Sequence, residues 1–310
     1  MTGQKTIDFS CKSNILLEDE QGVRVPMSTP YYRAKEIAPD TWQILSDGDF
    51  SYLLKGKDKD ALLIDTGYGA GNIREYCESL CGCRVSRAVN THHHFDHTAL
   101  NCYFDLVYMA PESVDLAAVP YPSFDGIAFP RDYEIRTVKD GDVIPLKGRD
   151  LKVFSLPDHA VGSIILLDEK NRLLFAGDEL GMTFGKPVNG TVENWERLLK
   201  KLVPYRSYYD AVWCGPGPAD PGIVEKLLDN CQQILNGAEG EPYTRPPFHA
   251  WQETDTAGHI IWKRQLPHPG DGPSHWEDES AWTRRFGQPP AAIVYDIRRI
   301  YDRQLKEEET

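Results

Sequence analysis

Short apolar runs separated by Gly, Asp and Asn turns dominate the middle of the chain. Runs at 42–45 and 51–54 flank Ser46-Asp47-Gly48-Asp49, a pattern that predicts a β-hairpin. An Asp168-Glu169-Lys170-Asn171 turn between two further runs predicts a second hairpin. Apolar residues three and four apart, as in Trp195, Leu198, Leu199 and Leu202, predict amphipathic helices. In chain order, the predicted strands after the first hairpin are 61–65, 85–89, 151–156, the second-hairpin strands 163–167 and 172–176, and 210–213. The predicted helices are 72–80, 192–203 and 221–235.

Three segments follow from this pattern. Residues 1–40 are polar with few periodic stretches, which indicates an N-terminal extension or cap. Residues 41–236 mix hairpins with strand–helix alternation and form the predicted main domain. Residues 237–310 are rich in proline and tryptophan, which favours an arm that packs on that domain or on a partner subunit. Within this arm, 292–301 fits a helix and a strand equally well.

Composition narrows the classes of function. The 310 residues carry a formal net charge of -13, which disfavours binding to nucleic acid or to an anionic membrane. The polar N-terminus predicts no signal peptide, and no apolar run is long enough to predict a membrane span. The seven scattered cysteines indicate reduced thiols. The expectation is a cytoplasmic protein with a small-molecule substrate.

Candidate chemistry concentrates after the predicted strand 85–89. His92, His94, Asp96 and His97 lie within six residues. Imidazole and carboxylate groups are the usual ligands of hydrolytic zinc, whose catalytic sites keep one position open. His159 and Asp178 each follow another predicted strand, so several chain segments can converge on one cleft.

These motifs, taken in order, resemble the metallo-β-lactamase superfamily. They are His92-x-His94-x-Asp96-His97, then Pro-x-His159-x-x-Gly-Ser, then Ala-Gly-Asp178, and the similarity covers roughly residues 40–235. The resemblance implies an α+β fold, the αβ/βα four-layer sandwich of two mixed β-sheets flanked by helices, with 41–236 as catalytic domain. It implies a first metal held by His92, His94 and His159, a second held by Asp96 and His97, and Asp178 bridging both. Asp65 would support the loop that carries the metal ligands without binding a metal itself.

The activity implied is hydrolysis by a metal-bound hydroxide that attacks a small ester, lactone, thioester or related substrate. Asp96 would also orient water or accept protons during turnover. The expected cofactor is Zn²⁺, one or two per chain, with Mn²⁺ and Fe²⁺ as alternatives. Two other functions stay open: a mononuclear non-haem iron oxidoreductase similar to persulfide dioxygenases, and a non-catalytic metal-binding sensor.

The sequence departs from the family at the last metal ligand. The family has a Gly-His-Gly element, whereas this chain has Gly215-Pro216-Gly217, and proline has no side-chain donor. The second metal could bind more weakly, be absent, or recruit another residue. The candidates for that role, His249 first, are His249, His259, His268, His275, Cys214 and Asp220.

Aromatic residues in the loops between motifs have two interpretations. They could line an apolar substrate pocket, or they could be ordinary loop packing. The residues concerned are Tyr121, Phe124, Phe129, Tyr133 and Phe184. The aromatic C-terminal arm could likewise close the active site or form a homodimer contact.

A pair of histidine variants tests the predicted motif. His94→Ala should abolish metal binding and turnover, because it removes a ligand, whereas His93→Ala should spare both. Metal content of the purified variants and their hydrolytic rates measure this. Retained activity in the His94 variant would show that the proposed site is wrong.

Overall fold

The computed structural model describes residues 6–18, 22–46, 49–180, 190–214, 217–243, 253–254, 256, 260–263 and 281–304. The chain divides into two compact units. The first comprises Met1–Val138, Pro145–Arg149 and Phe248–Gly272, and the second Lys139–Ile144, Asp150–Pro247 and Pro273–Thr310.

The strands in chain order are β1 Ile15–Glu18, β2 Arg24–Pro26, β3 Arg33–Ala38, β4 Thr41–Ser46, β5 Asp49–Lys55, β6 Ala61–Ile64, β7 Arg87–Val89, β8 Leu106–Met109, β9 Glu134–Thr137, β10 Val143–Ile144, β11 Leu151–Ser155, β12 Ile164–Asp168, β13 Leu173–Gly177, β14 Ala211–Cys214, β15 Gly217–Ala219, β16 Glu241–Pro242, β17 Glu253–Thr254, β18 Ile260–Lys263, β19 Thr283–Phe286 and β20 Ile293–Asp296. The α-helices are α1 Ile73–Cys81, α2 Phe95–Thr98, α3 Val192–Lys200 and α4 Ile223–Leu235. Short 3-10 helices lie at Ser10–Lys12, Ala99–Tyr103, Pro111–Ser113, Pro122–Phe124 and Val203–Tyr208.

A seven-stranded mixed sheet forms the centre of the first unit, in the order β3 to β9. The pairs from β3–β4 to β5–β6 are antiparallel, and the pairs from β6–β7 to β8–β9 are parallel. Helix α1 turns Ile73, Cys77 and Cys81 towards the core because these residues are four apart. It begins at Asn72, whose side chain caps the helix, and ends at Gly82, whose φ of 66° a glycine adopts without strain. The parallel strands therefore end at one edge, where α2 follows β7.

A six-stranded mixed sheet forms the centre of the second unit, in the order β10 to β15. Strands β13 and β14 are parallel, and the other neighbours are antiparallel. All residues of β12 and β13 are buried, as expected of continuous apolar runs. Helices α3 and α4 bury apolar faces in the same core.

Two smaller sheets complete the described residues. One, in the first unit, has the order β17-β18-β1-β2, and the other, in the second unit, has the order β16-β19-β20. The ambiguous segment 292–301 is a strand at Ile293–Asp296, because β19 supplies an antiparallel partner. The predicted extension also contributes β3 to the seven-stranded sheet. This strand lies at the sheet edge and is only partly buried, so its sequence shows little apolar alternation.

The α+β class with mixed sheets and flanking helices is confirmed, and each predicted strand and helix of the main domain is present. The helix predicted over 192–203 stops at Lys200 and gives way to the 3-10 helix Val203–Tyr208, where Pro204 lacks an N–H for a longer α-helix. Among the described residues, none of the helices combines the length and the apolar character that crossing a bilayer requires.

The cap of α3 offers a test of this packing. The fully buried Thr191 hydroxyl accepts the Asn194 N–H at 2.9 Å and donates to Asp302 at 2.5 Å. Thr191→Ala should lower the free energy of unfolding by about 1 kcal/mol, because the N–H and the carboxylate lose their partner. Thr191→Ser, which keeps the hydroxyl, should lose clearly less. Urea unfolding measures both, and equal losses would contradict this role.

Candidate metal centre

Asp65 lies immediately after β6 and ties two strand ends together. Its N–H donates to the Val89 carbonyl at 2.8 Å, next to the end of β7. Its carboxylate accepts the Thr91 N–H at 2.7 Å through Oδ1 and the Thr91 hydroxyl at 2.8 Å through Oδ2. Asp65 has a φ of 57°, which non-glycine residues adopt infrequently. This backbone therefore serves to direct the carboxylate onto the loop that carries the histidines.

His97 is held by both its ring and its backbone. Its Nδ1 lies 3.0 Å from Asp65 Oδ2. Its carbonyl accepts the Thr66 N–H at 2.8 Å and the Asn90 side-chain amide at 2.9 Å. Asn101 donates in turn to the Asn90 side-chain oxygen at 2.9 Å. All of these groups are buried, so the imidazole is fixed before any ligand arrives.

The hydrogen bonds determine which ring nitrogen can bind a cation. Because the Asp65 carboxylate accepts, it binds the Nδ1–H of His97 and leaves Nε2 as the ring nitrogen that faces Asp96. The Thr91 hydroxyl donates its only proton to Asp65. The Thr91 oxygen is therefore the acceptor in its 3.2 Å contact with His92 Nδ1. His92 therefore also presents Nε2 as a ligand atom. Both rings are buried and oriented through Nδ1 by a hydrogen-bond partner, the arrangement typical of histidines that bind metals through Nε2.

The other motif residues surround these two rings. The His92 ring centroid lies 4.1 Å from that of His97 and 4.5 Å from that of His94. Asp96 is 4% exposed, and its Oδ2 lies 3.6 Å from His97 Nε2. The His93 and His94 rings lie 4.8 Å apart, and both residues are half-buried. The structure thus brings the four predicted ligands of the first unit together.

In the second unit, the other two predicted ligands are neighbours. Asp178 follows β13, and its Oδ2 lies 3.5 Å from His159 Nε2. Both side chains are about one-tenth exposed, at 11% and 9%. The chain irregularity between Phe175 and Gly177, where the pairing with β14 shifts register, lies just before Asp178. The strand end therefore delivers Asp178 beside the loop that carries His159.

Glu179 holds this loop, a role that no sequence motif announced. Its carboxyl group is buried, and Oε1 accepts the His159 N–H at 2.8 Å and the Asp158 N–H at 3.2 Å. Burial, and secondarily the Asp158 charge, raises the pKa of Glu179 well above its usual range. The residue after Asp178 is thus engaged with the backbone of the His159 loop.

The remaining predictions divide between core and surface. Phe124 and Tyr133 are buried in the first core cluster, so loop packing describes these two. Asp220 pairs with Lys226 at 2.7 Å on the surface. Cys214 is buried, and this burial, with the Asp178 charge as the next cause, raises the pKa of its thiol to about 12. Other residues of these predictions lie outside the described ranges: Phe184, Pro216, His249, His259, His268 and His275.

Variants of Glu179 should distinguish a role in positioning the His159 loop from a role in core packing alone. Glu179→Ala removes the acceptor of two buried N–H groups, so His159 loses its orientation and metal affinity should fall about ten- to a hundredfold. Glu179→Gln keeps the acceptor oxygen and should stay close to the unmodified protein. Competition with a chromophoric chelator measures both affinities. An unchanged affinity in Glu179→Ala would refute the assignment.

Several known proteins are similar to this chain in sequence. A sequence model of the metallo-beta-lactamase superfamily matches residues 47–295. Acyl-coenzyme A thioesterase MBLAC2 of Bos taurus is 28% identical over 212 residues, which cover 57% of this chain and 70% of that protein. Hydroxyacylglutathione hydrolase of Rhodospirillum rubrum is 28% identical over 188 residues, which cover 59% of this chain and 68% of that protein.

A solved structure also matches this chain. The metallo-beta-lactamase family protein of Thermus thermophilus superimposes with a TM-score of 0.47 and 21% identity, covering 67% of this chain and 80% of that one. The family match spans well over half of this chain and includes every ligand position predicted from the sequence. The chain belongs to the metallo-beta-lactamase superfamily.

Proposed function

We propose that this protein is a metal-dependent hydrolase that cleaves acyl thioesters. The observation that carries the proposal is the pair of buried imidazoles, His92 and His97, whose Nδ1 atoms are bound by Thr91 and Asp65 respectively. Two of its relatives, an acyl-coenzyme A thioesterase and a hydroxyacylglutathione hydrolase, are named for hydrolysis of acyl groups on a thiol carrier. They support a thioester over a lactone or an oxygen ester.

The donor set fits a divalent cation. Candidate groups of ligands are His92, His94 and His159 on the one hand, and His92, His97 and Asp178 on the other. Imidazole nitrogens with carboxylate oxygens are the set that hydrolytic zinc prefers. When bound, the cation supplies Lewis acidity, which lowers the pKa of water and polarises the acyl carbonyl. We propose Zn²⁺ as this cation, with Asp96 as a further ligand.

The chain's own residues would orient the ligands and manage the proton. Asp65 holds the His97 ring through Nδ1, so its Nε2 faces Asp96 and the ring is oriented for a cation. Asp96, buried beside His97, would orient the attacking water or accept its proton. Its position 3.6 Å from His97 Nε2 supports that assignment.

We further infer a cytoplasmic protein that acts on small molecules. All seven cysteines are free thiols, which suits a reducing compartment. The net charge of -13 disfavours polyanionic partners. A homodimer through the C-terminal arm stays a prediction.

Metal depletion and a substrate panel test the proposal. The chelated protein should lose hydrolysis of an acyl-coenzyme A or acylglutathione thioester, and added Zn²⁺ should restore it, because the cation is what activates water. Thiol release, followed with a chromogenic disulfide, measures the rate. Lactones and oxygen esters with the same acyl group should be cleaved more slowly. Activity that survives complete metal removal would refute the proposal, and iron with oxygen uptake would favour an oxidoreductase instead.

A pair of Asp→Asn variants locates the activity. Asp96→Asn should lower kcat/KM about a hundredfold or more, because the amide neither accepts a proton nor binds a cation as well. The matched control is Asp210→Asn, which only breaks the exposed pair with Arg172 and should keep full activity. Equal rates in the two variants would contradict the catalytic assignment of Asp96.

A further inference from the structure

We propose that Tyr121 is a positioning residue that prepares Asp96 for the second cation. This inference rests on the proposed function above and concerns the second cation of its metal site. The sequence offered Tyr121 as a pocket-lining or loop-packing residue. The structure gives its hydroxyl a specific partner among the predicted ligands.

The contact is short and charge-assisted. The Tyr121 hydroxyl donates to Asp96 Oδ1 at 2.6 Å, a distance typical of a hydroxyl bound to a carboxylate. The other carboxylate oxygen, Oδ2, is the one that lies 3.6 Å from His97 Nε2. The phenol therefore decides which oxygen of Asp96 remains beside the imidazole. Those two atoms belong to the residues that the family resemblance assigns to the second metal.

The ring of Tyr121 is itself fixed by aromatic packing. Its centroid lies 5.3 Å from that of Phe95 in a T-shaped arrangement. Phe95 is almost completely buried and also packs against Phe124 at 5.0 Å and Phe129 at 4.7 Å. Such pairs restrict the ring without using the hydroxyl. The hydroxyl is thus held in place for Asp96 before any cation binds.

The N-terminal segment adds a second restraint to the same loop. Phe9 packs edge-on against Phe129 at 6.1 Å. The Lys12 ammonium donates to the Ser123 carbonyl, two residues after Tyr121. The predicted extension therefore supports the loop that carries the phenol. Residues far from the motif in sequence contribute to its rigidity in this way.

A prearranged Asp96 matters more in this chain because Pro216 stands where the family has its last metal-binding histidine. A proline cannot supply the last imidazole of the family, so the second cation would depend more on Asp96 and His97. Fixing a carboxylate in advance avoids the entropy cost of ordering it on binding. We therefore expect the phenol to affect the second cation and leave the first unchanged.

Stepwise metal titration of Tyr121→Phe tests the inference. The variant keeps the ring and its packing but loses the hydroxyl. Affinity for the second equivalent of Zn²⁺ should fall about ten- to a hundredfold, with the first equivalent unchanged. Calorimetry measures both steps. With Co²⁺ as the probe, the visible spectrum of the second equivalent should change, a signature that loss of stability alone would not produce.

Tyr301→Phe is the matched control, because its hydroxyl donates to the Leu235 carbonyl at 2.9 Å and takes no part in the hydrogen bonds that hold the motif loop. It should bind both equivalents normally. Unchanged second-site affinity in Tyr121→Phe, or an equal loss in the control, would overturn the inference. If the unmodified protein binds a single cation, this inference fails and the hydrolase proposal survives. If it binds none, both fail.

Discussion

The buried carboxylate of Asp65 is the interaction on which the first half of the site depends. At 2% exposure, an ionised carboxylate is costly unless its oxygens find donors. Thr91 supplies an N–H and a hydroxyl, and His97 supplies its Nδ1–H. The same bonds that offset the desolvation cost also orient the histidines, because each donor belongs to the loop after β7. A binding loop is thereby made rigid by one residue on a neighbouring strand.

The second unit uses a related solution with a different residue. Glu179 is also buried at the end of a strand, and it also accepts N–H groups from a loop that carries a candidate ligand. In both units the ligands come from strand ends, while a buried carboxyl group fixes the adjacent loop. The two residues differ in their hydrogen-bond partners. Asp65 binds both side-chain and backbone groups, whereas Glu179 accepts from the backbone N–H groups of Asp158 and His159. Both arrangements prepare the ligand side chains before a cation is present, which is the condition for an efficient metal site.

The sequence predicted β4 to β7 and β11 to β14 because apolar runs bounded by turns are local signals. It missed the shorter or more exposed strands at the ends of the two sheets, β3, β8, β9, β10 and β15. It also predicted His92, His94, Asp96 and His97 as one cluster, since they share a single turn of chain. It missed Thr66 and Asn90, because their contacts with His97 join residues that no motif connects. It did not single out Glu179, because the contacts of this residue with the His159 loop appear only in the folded chain. The strand at 293–296 was ambiguous because periodicity alone does not reveal the partner β19 that decides it.

A single experiment can decide whether the predicted ligands bind a divalent cation. Crystals grown with Zn²⁺ should show an anomalous peak at the zinc edge within about 2.0–2.2 Å of His92 Nε2 and in contact with His94 and His159. A further peak beside Asp96, His97 and Asp178 would mark the second cation. The absence of any peak at His92 in zinc-saturated crystals, or zinc held by other residues, would contradict the claim.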